Sequence, residues 1–505
     1  MSLQSYLVPL LALAVVYGVV RLFRRDNVPL PPGPPPDPII GHLRLMRGPI
    51  QETTYYDWHR QYGDVVHLNI LGKPIIFLNS EQAAKDLLDK KGKLYSDRPH
   101  FPAHELLGWH DILGFMPYGE EFHKTRKLFA EALSQSGVRV FQDNQLNQAH
   151  LLLKNFLASP DQFSSHVRRF ASAVILEIAY GHRVETDDDP YLQLTEDINQ
   201  CVAGAGEPGM AAIDFIPLLR YLPAGFPGAS VVNHCKQFRP VLQNAIDIPF
   251  KDVEQKMASG SAEVSFLSMA LENLYRTKNV SEKELRRLKI SSFQFYAGGS
   301  ETTWSTIENF MLIMLLHPDV QKKAQQEIDR VLGEGKLPDF GDRESLPYVE
   351  CVLQESMRWH PALPLGVPHR VMDDDIYQGM LIPKGATIIA NTRCMTMDEN
   401  VYQNPRLFYP ERYLPKPEGL GEPLPGSVFG FGRRICPGRY LAEASVWIVI
   451  SALLAAFDIS PGKDENGNTI EAKADFHVAL TSRPKPFKCT ILPRSKLSRD
   501  ALEKL

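Results

Sequence analysis

The longest apolar stretch stands at the start of the chain. Leu3 to Val20 carries no charged residue and a single proline, Pro9. As a helix it would rise about 27 Å, about the thickness of an endoplasmic reticulum bilayer. Arg21, Arg24 and Arg25 follow it, and no Lys or Arg precedes it. This pattern predicts a transmembrane anchor over residues 1–25, with the N-terminus in the lumen and the rest in the cytosol. The alternative, a cleaved signal peptide, needs positive charge before the run and small residues after it. Residues 26–38 contain Pro29-Leu30-Pro31-Pro32-Gly33-Pro34-Pro35-Pro36. That density excludes helix and predicts a stiff extended segment, either a hinge that fixes the body's attitude or a passive spacer. From Ile39 the periodicity becomes mostly helical. Apolar residues recur at helical spacing over Glu121–Leu133, Phe170–Ala179, Glu282–Leu316, Val320–Leu332 and Tyr440–Ala456. Gly333 is a helix-stop signal. Short β-like pieces stand at Val65–Ile70, Ile75–Asn79 and Thr387–Ala390. The expectation is a mainly α body with small β-sheets, a single large domain over residues 39–505.

Composition narrows this. At 505 residues the length alone suggests about three domains, but no second linker and no repeat divides the body. A chain that is 44% hydrophobic and 23% charged is neither disordered nor fibrous. Its net charge of -4 supplies no global field for nucleic acid. The six cysteines include no CxxC pair and are too sparse for a disulfide scaffold. They fit a reducing compartment, in which the sequon Asn279-Val280-Ser281 would go unused.

One cysteine is differently placed. Phe429-Gly430-Phe431-Gly432-Arg433-Arg434-Ile435-Cys436-Pro437-Gly438 leads directly into an apolar helical run. Gly432 and Gly438 permit backbone conformations that other residues resist. Such a loop can aim the Cys436 sulfur outward, with N–H groups turned to it. The following helix N-terminus and Arg434 both favour a thiolate. With no second Cys or His beside it, this thiolate suits a cofactor that brings its own other ligands, and haem is that cofactor. The plain alternative is a buried cysteine in a glycine turn.

The stretch resembles the haem-binding signature of the cytochrome P-450 family, F-x-x-G-x-R-x-C-x-G, at Phe429, Gly432, Arg434, Cys436 and Gly438. Further matches come in family order. Glu355 and Arg358 lie one helical turn apart, and Pro410-Glu411-Arg412-Tyr413 follows. The resemblance implies a buried structural triad of Glu355, Arg358 and Arg412. Ala297-Gly298-Gly299-Ser300-Glu301-Thr302-Thr303 lies in a long helical run that two glycines weaken. The resemblance makes it an oxygen-binding groove with Glu301 and Thr302 as catalytic acid and alcohol. A plain helix–helix contact is the alternative reading. Arg126, Arg370 and Arg434 match positions that hold the haem propionates. Phe122 stands where the family commonly has a Trp, which leaves one propionate hydrogen bond open, and His123 stands beside it. The tail from Ser482 to Ser495 resembles fungal members, among them the O-methylsterigmatocystin oxidoreductase group and the mushroom tryptamine 4-hydroxylase.

The resemblance implies the P-450 fold, haem b on Cys436, and monooxygenation of a small molecule at the endoplasmic reticulum membrane. No G-x-G-x-x-G unit is present, so NADPH would deliver electrons through a separate membrane-bound reductase. Lys124, Lys127, Arg433 and Arg439 either meet that partner or form a solvated basic surface. By family position the pocket walls include Leu106, Leu107, Ile112, Phe115, Phe215, Ile216, Phe293, Leu363 and Leu480, all apolar. Phe215–Pro227 is placed to dip into the membrane. A lipophilic substrate follows, with a terpenoid, and specifically a sesquiterpenoid, as the first expectation and an indole amine or polyketide as alternatives. A redox-neutral haem-thiolate isomerase or dehydratase is a further alternative, and Glu301-Thr302 argues against it. A haem carrier or sensor would need no oxygen groove.

Overall fold

The computed structural model describes residues 28–46, 52–186, 188–205, 211–223, 225–226, 228–276, 280–477 and 479–505. The expected anchor, residues 1–25, and the sequon's Asn279 lie outside the described residues. Most of the rest is helical. The element that organises the molecule is Glu282–Leu316, here the central helix. Its 35 residues span about 52 Å. Ser281 caps it: the Ser281 amide donates to Glu284 Oε2 at 3.0 Å, and the Glu284 amide donates back to Ser281 Oγ at 3.3 Å. Pro318 then opens the next helix, Pro318–Leu332, which ends at Gly333 with φ 92°.

The helix Phe163–Tyr180 lies against the central helix, and small residues let it approach closely. A Cβ on Gly299 would come within 2.7 Å of Ile175 Cδ1, and the Ser172 and Ser300 hydroxyls share a hydrogen bond of 2.8 Å. On the other side lies Arg439–Ala456, the cysteine helix. Every residue from Ala444 to Ala456 is buried. A helix that is apolar all round belongs in a core. Among the described residues it is also the one helix long and apolar enough to cross a membrane, and its burial explains that composition without one.

The sheets are small. The main one runs β1 (Val65–Ile70), β2 (Lys73–Leu78), β6 (Thr387–Ala390) and β3 (His369–Arg370), with β2 and β6 parallel and the other pairs antiparallel. Two antiparallel pairs stand apart: β4 (Asp375–Tyr377) with β5 (Met380–Ile382), and β7 (Phe457–Pro461) with β8 (Cys489–Pro493). The proline segment is strapped onto this region. Pro32 O accepts from the His67 amide at 2.9 Å, and Pro29 O accepts from the Leu381 amide at 2.8 Å. Prolines donate no amide, but their carbonyls remain strong acceptors.

Candidate active site

Cys436 stands between a 3-10 turn, Gly432–Arg434, and the N-terminus of the cysteine helix. Its amide donates to Phe429 O at 2.8 Å, which closes the loop. Gly430 and Gly432 take φ of 77° and 55°, and a Cβ on Gly432 would strike the Leu88 carbonyl oxygen. Gly438 has φ -93°, an ordinary value. The freedom expected of Gly438 is thus used at Gly430. Burial pushes the Cys436 thiol pKa up. The Gly438 amide, Arg126 and Arg439 pull it down. A thiol so placed gains most by binding a metal cation.

Beside the cysteine loop lies an excess of positive charge. Arg434 is buried, with Nε donating to Ser96 O at 2.7 Å, Nη1 to Leu113 O at 2.9 Å and Nη2 to Met116 O at 2.7 Å. Its guanidinium lies 3.8 Å from the Phe122 ring centroid. Arg98, also buried, donates to Gly114 O, Val367 O and Pro368 O, each at 2.7 Å. Desolvation lowers the pKa of both, Arg434 to about 9. Each is also depressed by a guanidinium neighbour: Arg98 by Arg434, and Arg434 by Arg126. The buried carboxylate among them is Asp97, and it is taken: Arg370 Nε donates to it at 2.8 Å, as does the Tyr118 amide. Two buried guanidiniums, Arg98 and Arg434, thus feel one carboxylate that Arg370 already holds, and the half-buried Arg126 adds a further charge beside Arg434. Buried charge in excess is costly unless an anion balances it. Two carboxylates of a haem, with its iron on Cys436, fit this deficit.

Arg370, expected to hold a propionate, turns to Asp97 and is 42% exposed. Successive strand residues face opposite ways, and on β3 the inward position belongs to His369. His369 is buried, with Nδ1 2.9 Å from Tyr95 O, and Arg98 and Arg434 depress its pKa further after burial. Arg98 and His369 are the residues the sequence reading missed. The signal was Asp97-Arg98, an acid–base pair that passes for a surface feature until its burial is known. His123 is exposed and meets the Tyr118 and Phe122 rings edge-on.

Across from the cysteine helix, the central helix stays continuous through residues 297–303. No break opens it. Gly298 faces open space, with nothing within 4 Å of a Cβ placed there, whereas Gly299 and Ser300 serve the helix contact. Gly299 thus belongs to the helix–helix contact, and Gly298 leaves room beside the central helix. Thr302 Oγ1 donates to Gly298 O at 3.1 Å, a back-bond that bends helices slightly. Glu301 is half-buried, and burial raises its pKa against the pull of Arg483.

Glu355, Arg358 and Arg412 are fully buried together. Arg358 donates to Glu355 from Nε at 2.7 Å and Nη2 at 2.8 Å, and Arg412 Nε donates at 3.0 Å. Tyr413 OH adds a bond to Glu355 at 2.9 Å, and Glu422 takes Arg412 Nη1 at 2.5 Å. Glu422 brings a second carboxylate, so the cluster is neutral. Removing one partner from such a cluster costs about 3–5 kcal/mol.

Among the expected pocket walls, Leu107, Ile112 and Phe293 are buried, and Trp109 packs on both Phe115 and Phe293. Gln294 Oε1 accepts from the Leu113 amide at 2.7 Å and ties this wall to the central helix. Ile216 departs from expectation: it is exposed, with Leu218, Tyr221 and Phe226. The basic residues are partnered locally: Lys124 with Glu120 at 2.6 Å, Lys127 with Glu131 at 3.8 Å, Arg433 with Tyr118, and Arg439 with Tyr440 at 2.9 Å.

The cytochrome P450 family model matches residues 31–491. A cytochrome P-450 monooxygenase of Armillaria gallica is 36% identical over 99% of both chains. One from Coprinopsis cinerea is 37% identical over 96% of this chain and 93% of its own. Tryptamine 4-monooxygenase of Psilocybe cyanescens is 35% identical over 96% of this chain and 97% of its own. With a cysteine loop and a cation cluster in one mainly helical fold, and with these matches along nearly its whole length, the chain belongs to the cytochrome P-450 monooxygenase family.

Proposed function

We propose that this enzyme is a haem-thiolate monooxygenase that hydroxylates a small lipophilic molecule of fungal secondary metabolism. The observation that carries it is the surplus of buried guanidinium charge beside Cys436. Cys436 would ligate the iron of haem b, and Arg98, Arg126 and Arg434 would meet the propionates, with Phe429 closing the loop. When bound, haem supplies oxygen activation, which a thiolate ligand favours. The chain's own residues manage protons and position. Thr302 Oγ1 can hold a hydrogen-bonded water at the Gly298 gap, and Glu301, its pKa raised by burial, can exchange a proton with it. This pair favours oxygenation over a redox-neutral isomerisation or dehydration. Electrons would come from NADPH through a separate reductase that meets the face bearing Lys124, Lys127, Arg433 and Arg439.

A terpenoid is the leading substrate class, on the strength of the apolar walls at Leu107, Ile112, Trp109 and Phe293. An indole amine is the second reading, favoured by the likeness to a tryptamine 4-monooxygenase. We place the enzyme at the endoplasmic reticulum membrane, anchored by residues 1–25 through the hinge 26–38, with residues 39–505 in the cytosol. The exposed Leu218, Tyr221 and Phe226 would rest on the bilayer. The test is an absorbance titration of membranes holding the expressed protein, with sesquiterpenes, indole amines and polyketides in turn. A thiolate-haem band that shifts with one class identifies it. A band that shifts only with indole amines rejects the terpenoid, and no haem band in folded protein rejects the whole reading.

A further inference from the structure

A polar cavity of about 500 Å³ meets the site described above at one residue, Glu301. Its walls include Ser164 and Arg168 from the Phe163–Tyr180 helix and Glu196 from the Pro190–Ala205 helix. Glu301 and Trp304 come from the central helix, and Arg483 from the C-terminal segment. The exposed residues Ser165 and Gln200 also line it, so it reaches solvent. Glu301 therefore lines this cavity from the turn of the central helix that also carries Gly298 and Thr302.

Arg483 is held in place from two sides. Ser305 Oγ donates to Ser482 O at 2.5 Å and pins the segment to the central helix, and the His477 amide donates to Arg483 O at 2.9 Å. The guanidinium lies 4.2 Å from the Trp304 ring centroid, with Arg168 at 5.8 Å from the same ring. Arg168 is committed to Glu196 by an ion pair. Arg483 forms no ion pair within 4.0 Å among the described residues. Its field instead reaches two carboxyls, Glu301 and, two helical turns on, the buried Glu308. Glu308 accepts from Ser164 Oγ. The charged groups around Glu301 are thus Arg168, Glu196, Arg483 and, on its own helix, Glu308.

We infer that Arg483 is a positioning residue for proton delivery: clamped on Trp304, it is the counter-ion shared by Glu301 and Glu308, and the cavity is where Glu301 exchanges protons with solvent. This rests on the monooxygenase reading and names the part of the chain that serves its acid. A shared guanidinium couples the acids, since neutralising one leaves its charge to the other.

The test is infrared titration of the Glu301 carboxyl band in the holoenzyme, assigned by its loss in Glu301→Gln. Arg483→Gln should raise the midpoint by about one pH unit, a tenfold change in proton affinity. Glu308→Gln should lower it, because Arg483 then serves Glu301 alone. If Arg483→Gln does not fold, Trp304→Leu, which removes the ring beneath the guanidinium, should raise the midpoint instead. An unmoved midpoint in folded Arg483→Gln, or a rise in Glu308→Gln, overturns the inference. The wild-type thiolate-haem band is read alongside. Its absence defeats the monooxygenase reading, while the carboxyl titration still reports whether Arg483 and Glu301 are coupled.

Discussion

At the scale of single residues, two neighbouring arginines can be told apart by what they already hold. Arg370 has Asp97, whereas Arg98 has only neutral carbonyls. Arg98→Leu should therefore weaken haem retention about tenfold or more, the worth of a charge-assisted hydrogen bond, and Arg370→Leu much less. Haem-to-protein ratios after gel filtration compare them, and equal losses contradict the assignment. Glu308 gives a pH-dependent counterpart. Burial raises its native pKa above the ordinary 4.5, so the native state holds the proton more tightly than the unfolded chain. That contribution to stability is complete below the unfolded value and is lost as pH rises through the native one. Gln does not titrate. The melting temperature of Glu308→Gln relative to wild type should thus climb as pH rises above the ordinary carboxyl value and through the raised native one, and a flat difference contradicts it. Cys436 was readable in sequence because its glycines and helix start are local. Arg98 was not, because its meaning depends on burial created by residues 367 and 368, far along the chain.

At the scale of elements, the central helix separates two glycines that look alike in sequence. Gly299→Ala drives a methyl into Ile175, and such overpacking costs about 1–3 kcal/mol. Gly298→Ala meets nothing and gains up to about 1 kcal/mol of helix propensity. Thermal unfolding should rank Gly298→Ala at or above wild type and Gly299→Ala below, and the reverse order refutes the packing described. The periodic pattern located the central helix from Glu282 to Leu316, β1 and β6 at their observed ends. Phe170–Ala179 proved to be the core of a longer helix, Phe163–Tyr180. Its first turns, Phe163 to Arg169, mix polar and apolar residues because one side faces the Arg168–Glu196 surface. Short turns such as Gly432–Arg434 have no period to read. Their position follows from contact with Leu88 and Phe429, which no local pattern encodes.

At the scale of the whole molecule, membrane attachment should be divided between two regions. Removing residues 1–25 should release part of the protein from membranes and leave the thiolate-haem spectrum intact. Replacing Leu218, Tyr221 and Phe226 by Ser in that truncated form should release most of the remainder, since each buried large apolar side chain is worth about 1.5–3 kcal/mol. Flotation with vesicles measures both, and unchanged binding of the triple variant contradicts a bilayer role for the patch. Synthesis poses a different demand. β2 finds its parallel neighbour only when β6 emerges, because Ile75 aligns with Thr387. Until most of the chain has left the ribosome, the β1–β2 hairpin presents a bare edge, open to foreign strands. Pairing across so wide a sequence gap is slow. Nascent chains of this enzyme should accordingly depend on chaperones late in translation, and lowering growth temperature should improve its yield more than raising expression does.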